Sequence, residues 1–176
     1  MCPSEDTFIE RKEEYENFSR SIQIGIYGYF SESRKTYLEN LKEFLKSRNL
    51  NAQMSTDFEN RELPVVSVDA DALESSKMLY KNSKIHIFVL IPSAKDQLGR
   101  FLDSVSMEYG WVSMDKPPYV GIYVQQGFDV STLAQGAMDE MRDYWTNEKF
   151  DNISDIFVNI AKYCDDVIRN MFLSFK

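Results

Sequence analysis

Apolar positions along this chain alternate between short dense runs and longer stripes that recur every third or fourth residue, so strands and helices take turns. Thr7–Arg20 sets Phe8, Tyr15 and Phe18 among many charges and predicts an amphipathic helix. Ile22–Tyr27 reads as a strand, and Gly28-Tyr29-Phe30-Ser31 as the turn that ends it. Tyr37, Leu38, Leu41, Phe44 and Leu45 mark the inner face of a second helix, with Ser31 or Ser33 as its cap. Asn51–Thr56 predicts a weak strand, and Asp57–Ala70, which holds Pro64, a loop in which Val65–Val68 can add a short strand. A helix over Asp71–Asn82 leads into Lys84–Ile91, whose nearly unbroken β-branched and apolar residues suit a central parallel strand covered on both faces. Pro92 ends it. After the polar loop Ser93–Arg100, Phe101–Met114 is helical, Pro117-Pro118 closes that helix, and Tyr119–Val124 is the next buried strand. Gln125-Gln126-Gly127 makes a turn, Ser131–Met141 a weak helix and Tyr144–Trp145 a short edge strand. The last helix is the clearest, with Ile153, Ile156, Phe157, Ile160, Cys164, Val167, Ile168, Met171 and Phe172 in one stripe.

Strands alternating with helices give an α/β fold, a three-layer sandwich whose mainly parallel central sheet has about five strands. The expected division is an N-terminal helical extension over 1–20 and a single α/β domain over 21–176, with helices at both ends. Open parallel sheets bind ligands beyond the carboxyl ends of their strands, where strand order reverses. That rule nominates the loops over 27–33 and 92–100, with the helix Phe101–Met114 as a wall of the same crevice.

Composition narrows the classes. Lys and Arg number 20 against 28 Asp and Glu, a net charge of −8 with no basic stripe, which disfavours a nucleic acid polymer as partner. Two cysteines, Cys2 and Cys164, cannot build a disulfide framework and fit a reducing cytosol. The longest apolar run falls far short of the ~20 residues of a membrane helix. Met1–Asp6 lacks the basic and apolar regions of a secretion signal. The expectation is a cytoplasmic protein with no membrane partner.

Within Phe101–Met114, the residues Phe101, Val105, Glu108 and Val112 stand four, three and four apart and share one face. Glu108 is thus a carboxylate on an inward stripe. It must be hydrogen-bonded, paired or open to the crevice, because burying it bare costs several kcal/mol or neutralises it. Two readings stand side by side: a helix-edge acid in a capping or ion-pair contact, and an acid that works in the crevice. His86, the single histidine, sits inside a core strand and reads as packed. One His with two Cys does not fill a structural zinc site, so no metal is expected. There is no Gly-x-Ser-x-Gly elbow, Walker loop or Gly-x-Gly-x-x-Gly fingerprint, and no cofactor is expected. Tyr27 and Tyr29 either stack on a base or fill the core, and Trp111 and Trp145 read as packing.

Several segments carry a resemblance. Gly25-Ile26-Tyr27-Gly28-Tyr29-Phe30, followed by an amphipathic helix, resembles the opening of the nucleoside 2-deoxyribosyltransferase family. Tyr80–Pro92 is similar to that family's central helix–strand junction, and Asp96-Gln97-Leu98-Gly99 to its loop. Ser106-Met107-Glu108-Tyr109-Gly110 is similar to its Glu-x-Gly helix, and Pro118–Tyr123 to the strand that follows. The resemblance spans Ile22 to Val124 and implies a flavodoxin-like, Rossmann-like sheet. It also implies that Glu108 is the nucleophile that attacks an anomeric carbon, while a second acid protonates the departing base. The family places one Asp a helix turn before the Glu and another near the start of the preceding helix. Here Leu102 stands at the first place with Asp103 beside it, and Ser76 at the second with Asp71 and Glu74 nearby. Carried over, the catalytic pair is Glu108 and Asp103, and the substrate contacts are Tyr27, Gly28, Tyr29, Phe30, Ser76, Asp96, Gly99 and Ser104. The architecture overlaps that of Toll/interleukin-receptor-like NAD-cleaving domains, which also use a helix-borne Glu.

The expected function is cleavage or transfer of an N-glycosidic bond in a nucleoside or nucleotide. The alternatives are a non-catalytic nucleotide-binding or sensor module on the same fold, an NAD-cleaving hydrolase, and a scaffold. The expected ligand is a nucleoside, nucleotide or NAD-like small molecule. The apolar tail Met171–Phe175 predicts a homodimer or larger assembly, unless Phe8, Tyr15 and Phe18 of the N-terminal helix cover it.

Overall fold

The computed structural model describes residues 11–28, 34–59, 68–91, 103–127 and 139–175, with the backbone alone for 68–70 and 103–107. The chain runs α1 (Lys12–Ser21), β1 (Gln23–Tyr27), α2 (Arg34–Ser47), β2 (Asn51–Gln53), a 3-10 turn (Ser55–Phe58) and α3 (Val68–Asn82). It continues as β3 (Ile85–Leu90), α4 (Asp103–Asp115), β4 (Val120–Gln125), β5 (Thr146–Phe150) and α5 (Ile153–Ser174). The strands lie in the order β2-β1-β3-β4-β5, every pair parallel. The order reverses between β1 and β3, whose register runs from Ile24 opposite Ile85 to Tyr27 opposite Phe88.

Alternate side chains of each strand feed two apolar layers. Ile24, Ile26, Ile85, Ile87 and Val89 face Leu38, Leu41 and Leu45 of α2 and Ile156, Ile160, Cys164 and Ile168 of α5. Tyr27, Phe88, Leu90, Val120, Ile122 and Val124 face Leu79 of α3 and Tyr109 and Val112 of α4. Both faces of β3 are covered, which is why all six of its residues are buried and its sequence is unbroken by polar alternation.

Two strands share a local device. Gly25-Ile26-Tyr27 and Gly121-Ile122-Tyr123 each fold a tyrosine back over the glycine two residues earlier, one on each face of the sheet. A Cβ at position 25 would stand 2.7 Å from the Tyr27 hydroxyl and 2.6 Å from Ser83 Oγ; one at 121 would stand 2.9 Å from Tyr123 Cε2. The rings therefore fill the space that the missing side chains leave, and both tyrosines are buried.

The helix α1 lies on the tail of α5. Tyr15 and Phe18 pack on Phe172 with ring centroids 5.4 and 5.5 Å apart, and the Tyr15 hydroxyl donates to Asp165 at 2.7 Å. Phe172 of the apolar tail thus finds cover within the chain, while Phe175 stays 73 % exposed. Among the described residues no helix is long and apolar enough to cross a membrane.

The expected edge strand at Tyr144–Trp145 is a turn; the edge strand is Thr146–Phe150. Its Glu148 and Lys149 hide it from an apolar pattern, and edge strands tolerate charge because one side meets water. Likewise β2 stops at Gln53, and Ser55 and Thr56 belong to the 3-10 turn. Val68 opens α3 rather than extending a strand. The expected loops at 29–33 and 92–100 lie outside the described residues, as does most of the helix expected over 131–141.

Gly25→Ala is expected to destabilise the chain by about 1–3 kcal/mol, because the added methyl meets packed atoms. Gly110→Ala, on α4 with no described atom within 4 Å of the new methyl, is expected to gain about 0.5–1 kcal/mol. Urea unfolding midpoints of the two variants check both signs.

Candidate functional site

Glu108 occupies the second turn of α4 and is only 4 % exposed, so the inward stripe of the sequence holds. Burial pushes its carboxyl up to about 7, and a hydrogen bond from Ser76 of α3 pulls the other way by favouring the ionised form. No cation figures among the causes, so the ion-pair reading of this acid has no described partner. Its neighbour Tyr109 meets Phe88 of β3 edge to face at 5.6 Å, which pins this turn of α4 to the sheet.

Tyr27 ends β1 beneath it. The Tyr27 ring stacks on Phe88 at 4.6 Å, and its hydroxyl shares a hydrogen bond of 2.9 Å with Nδ1 of His86. Its hydroxyl pKa lies well above the ordinary value, first through burial and next through the charge of Glu108. Burial alone holds His86 down to about 4, so this imidazole is neutral at neutral pH. Gly28 follows Tyr27. A Cβ there would come within 2.8 Å of the Val89 carbonyl and 2.9 Å of Leu38, so the end of β1 can only pass between β3 and α2 as glycine.

The structure thus brings together Glu108, Ser76 and Tyr27, whereas Gly28 at the strand end faces Val89 and Leu38. Tyr27 presents a buried ring to this cluster. Asp103 and Ser104 stand in the first turn of α4, ahead of Glu108. Tyr29, Phe30, Asp96 and Gly99 lie outside the described residues. Sequence reading passed over Arg34. It opens α2 at the carboxyl edge of the sheet, is 4 % exposed, and donates from Nη1 to the carbonyl of Ile91 at 3.2 Å. Nothing in the run Glu32-Ser33-Arg34-Lys35 distinguishes it from a solvated cation. Among the described residues no three His, Cys, Asp or Glu gather where they can hold a metal ion.

No protein-family model matches the chain, and no curated protein matches it in sequence. Solved structures do share its fold. A 2-deoxyribosyltransferase of Bacillus psychrosaccharolyticus superposes with a TM-score of 0.54 at 13 % identity, over 77 % of this chain and 90 % of that one. A CMP N-glycosidase of Clostridium botulinum gives 0.54 at 13 %, over 80 % of this chain and 98 % of that one. A flavodoxin of Pseudomonas aeruginosa gives 0.50 at 12 %, over 82 % and 99 %. The fold implied by the sequence resemblance is therefore the fold observed.

Glu108 and His86 impose opposite pH dependences on stability. The Glu108 pKa is raised on folding, so its contribution is full below about 4.5 and is lost as pH rises to about 7. The His86 pKa is lowered, so its contribution is full above about 6.5 and is lost as pH falls to about 4. Each is worth up to ~3 kcal/mol at its full extent. Glu108→Gln is thus expected to match wild type near pH 4 and to exceed it by up to ~3 kcal/mol at pH 8. Urea unfolding of both proteins across that range checks the sign.

Proposed function

We propose that the chain cleaves or transfers the N-glycosidic bond of a nucleoside or nucleotide, with Glu108 as nucleophile. The observation that carries this reading is a nearly buried carboxyl with no described cation partner, whose charge acts on Tyr27 of β1 and which is poised to ionise near neutral pH. The shared fold with a 2-deoxyribosyltransferase and a CMP N-glycosidase supports it. Cleavage of such a bond develops positive charge on the sugar, and an ionised carboxylate against that carbon stabilises it in a site that excludes water.

In this scheme a Glu108 oxygen bonds to the anomeric carbon as the carbon–nitrogen bond breaks. The bond's electron pair leaves with the base, which takes a proton from an acid; Asp103, in the first turn of α4, is the residue assigned to that role. Water or the nitrogen of a second base then displaces Glu108, giving hydrolysis or transfer. Ser76 orients the Glu108 carboxylate through its hydroxyl, and Gly28, Tyr29, Phe30, Asp96, Gly99 and Ser104 are assigned to the substrate.

One observation favours a second reading, a nucleotide-binding module without turnover: Leu102 and Ser76 stand where the resemblance places acids. Incubation with nucleosides, nucleoside monophosphates and NAD, followed by chromatography for free base, separates the two. Base release from one of them, lost by several orders of magnitude in Glu108→Gln, supports the enzyme. Its rate should rise with pH through about 7, because the nucleophile works ionised. A ligand that raises the melting temperature and is recovered intact supports the module instead.

A further inference from the structure

We propose that the cavity at the amino ends of β3 and β4 is a second small-molecule site, which takes a flat aromatic or heteroaromatic carboxylate. It has a volume of about 370 Å³ and lies past the starts of these strands, whereas Gly28 and Arg34 occupy the carboxyl edge. That volume falls within the usual range of small-ligand sites. Its walls are the rings of Tyr80 and Tyr119, the Pro117-Pro118 corner and Met171 of α5.

Three observations fix the chemistry. First, every ionisable group on the lining apart from the tyrosines is a base, although the chain carries −8 overall: Lys81, Lys84 and His86. Among the described residues neither lysine stands within ion-pair distance of an acid, although the charge of Lys81 reaches Glu74, while Lys35, Lys42, Lys46, Lys77 and Lys162 all are paired. Second, His86 is 97 % buried, and its Nδ1 is taken by the Tyr27 hydroxyl. Its Nε2 has no partner among the described residues, and His86 itself lines the cavity. Third, Tyr80 gives its hydroxyl to Asp115 at 2.6 Å and its ring packs between His86 at 5.1 Å and Trp111 at 5.5 Å, which fixes an aromatic ring at the cavity wall. An aromatic plane against Tyr80, a carboxylate between Lys81 and Lys84 and an edge atom on His86 Nε2 use all three.

Because His86 is the single histidine, its imidazole resonances report this cavity directly. Benzoate and nicotinate are titrated into the full chain at constant ionic strength, with benzamide as the neutral match and acetate as the small anion. The expected result is a saturable shift of the His86 resonances with the two aromatic acids, at least several-fold tighter than with benzamide or acetate. In Lys81→Ala/Lys84→Ala, which changes only exposed side chains, affinity should fall by about tenfold, the loss of two exposed charge contacts. Glu108→Gln should bind as wild type, which keeps this site's fate separate from that of the catalytic reading. No His86 shift with either acid, equal shifts with benzamide, or undiminished binding in the double lysine variant overturns the proposal.

Discussion

One buried polar contact organises the layer between the sheet and α3–α4: the Tyr27 hydroxyl on Nδ1 of His86. It lies among Phe88, Leu79, Val112 and Ile122, where an unpaired hydroxyl or imidazole would cost about 1–3 kcal/mol. To reach it, the Tyr27 ring must lie flat along the sheet, and that demands glycine at 25 and a small residue at 83. The same posture stacks Tyr27 on Phe88, which in turn receives the edge of Tyr109 and so sets the turn of α4 that carries Glu108. Removing the contact would free the ring, the glycine and the helix together.

Glu108 is the counterweight. The surrounding layer gives it Ser76 as a donor and otherwise leaves it to desolvation, so folding above neutral pH must either protonate it or tolerate a buried charge. A fold selected for stability alone would place an apolar residue there. Buried acids kept against such a gradient gather where a charge has to appear transiently beside a ligand. The neutral His86 adds no compensating charge to this layer.

The sequence made the covered strands and α5 legible, because their apolar periodicity is dictated by burial on both faces or one. The edge strand was not, since Thr146-Asn147-Glu148-Lys149 obeys the demands of water on its outer side. Glu108 stood out because a charge interrupted an apolar stripe. Arg34 did not, because a buried guanidinium that serves a carbonyl at a strand end has the same local pattern as a solvated one. The resemblance put Ser76 among the substrate contacts; its hydrogen bond to Glu108 depends on the approach of α3 to α4, which no sequence spacing reveals. The amino-edge cavity was invisible for a simpler reason. Its walls come from the end of α3, the start of β3, a Pro-Pro corner and α5, and no local pattern joins them.

The contact of α1 with α5 joins residues 150 positions apart. During synthesis, Tyr15 and Phe18 are made about 150 residues before Phe172, and their cover exists only after that whole stretch has left the ribosome. At about 5–20 residues per second that interval lasts on the order of ten seconds or more, with β1 beside them also waiting for β3. Arg11 and three charged residues of α1, Lys12, Glu13 and Glu14, precede the two rings, Glu16 lies between them and Arg20 follows. Such charges keep a waiting apolar stripe soluble. The amphipathic helix at this end thus has two successive environments: first a nascent segment that must resist self-association, and then a clasp over the tail of α5.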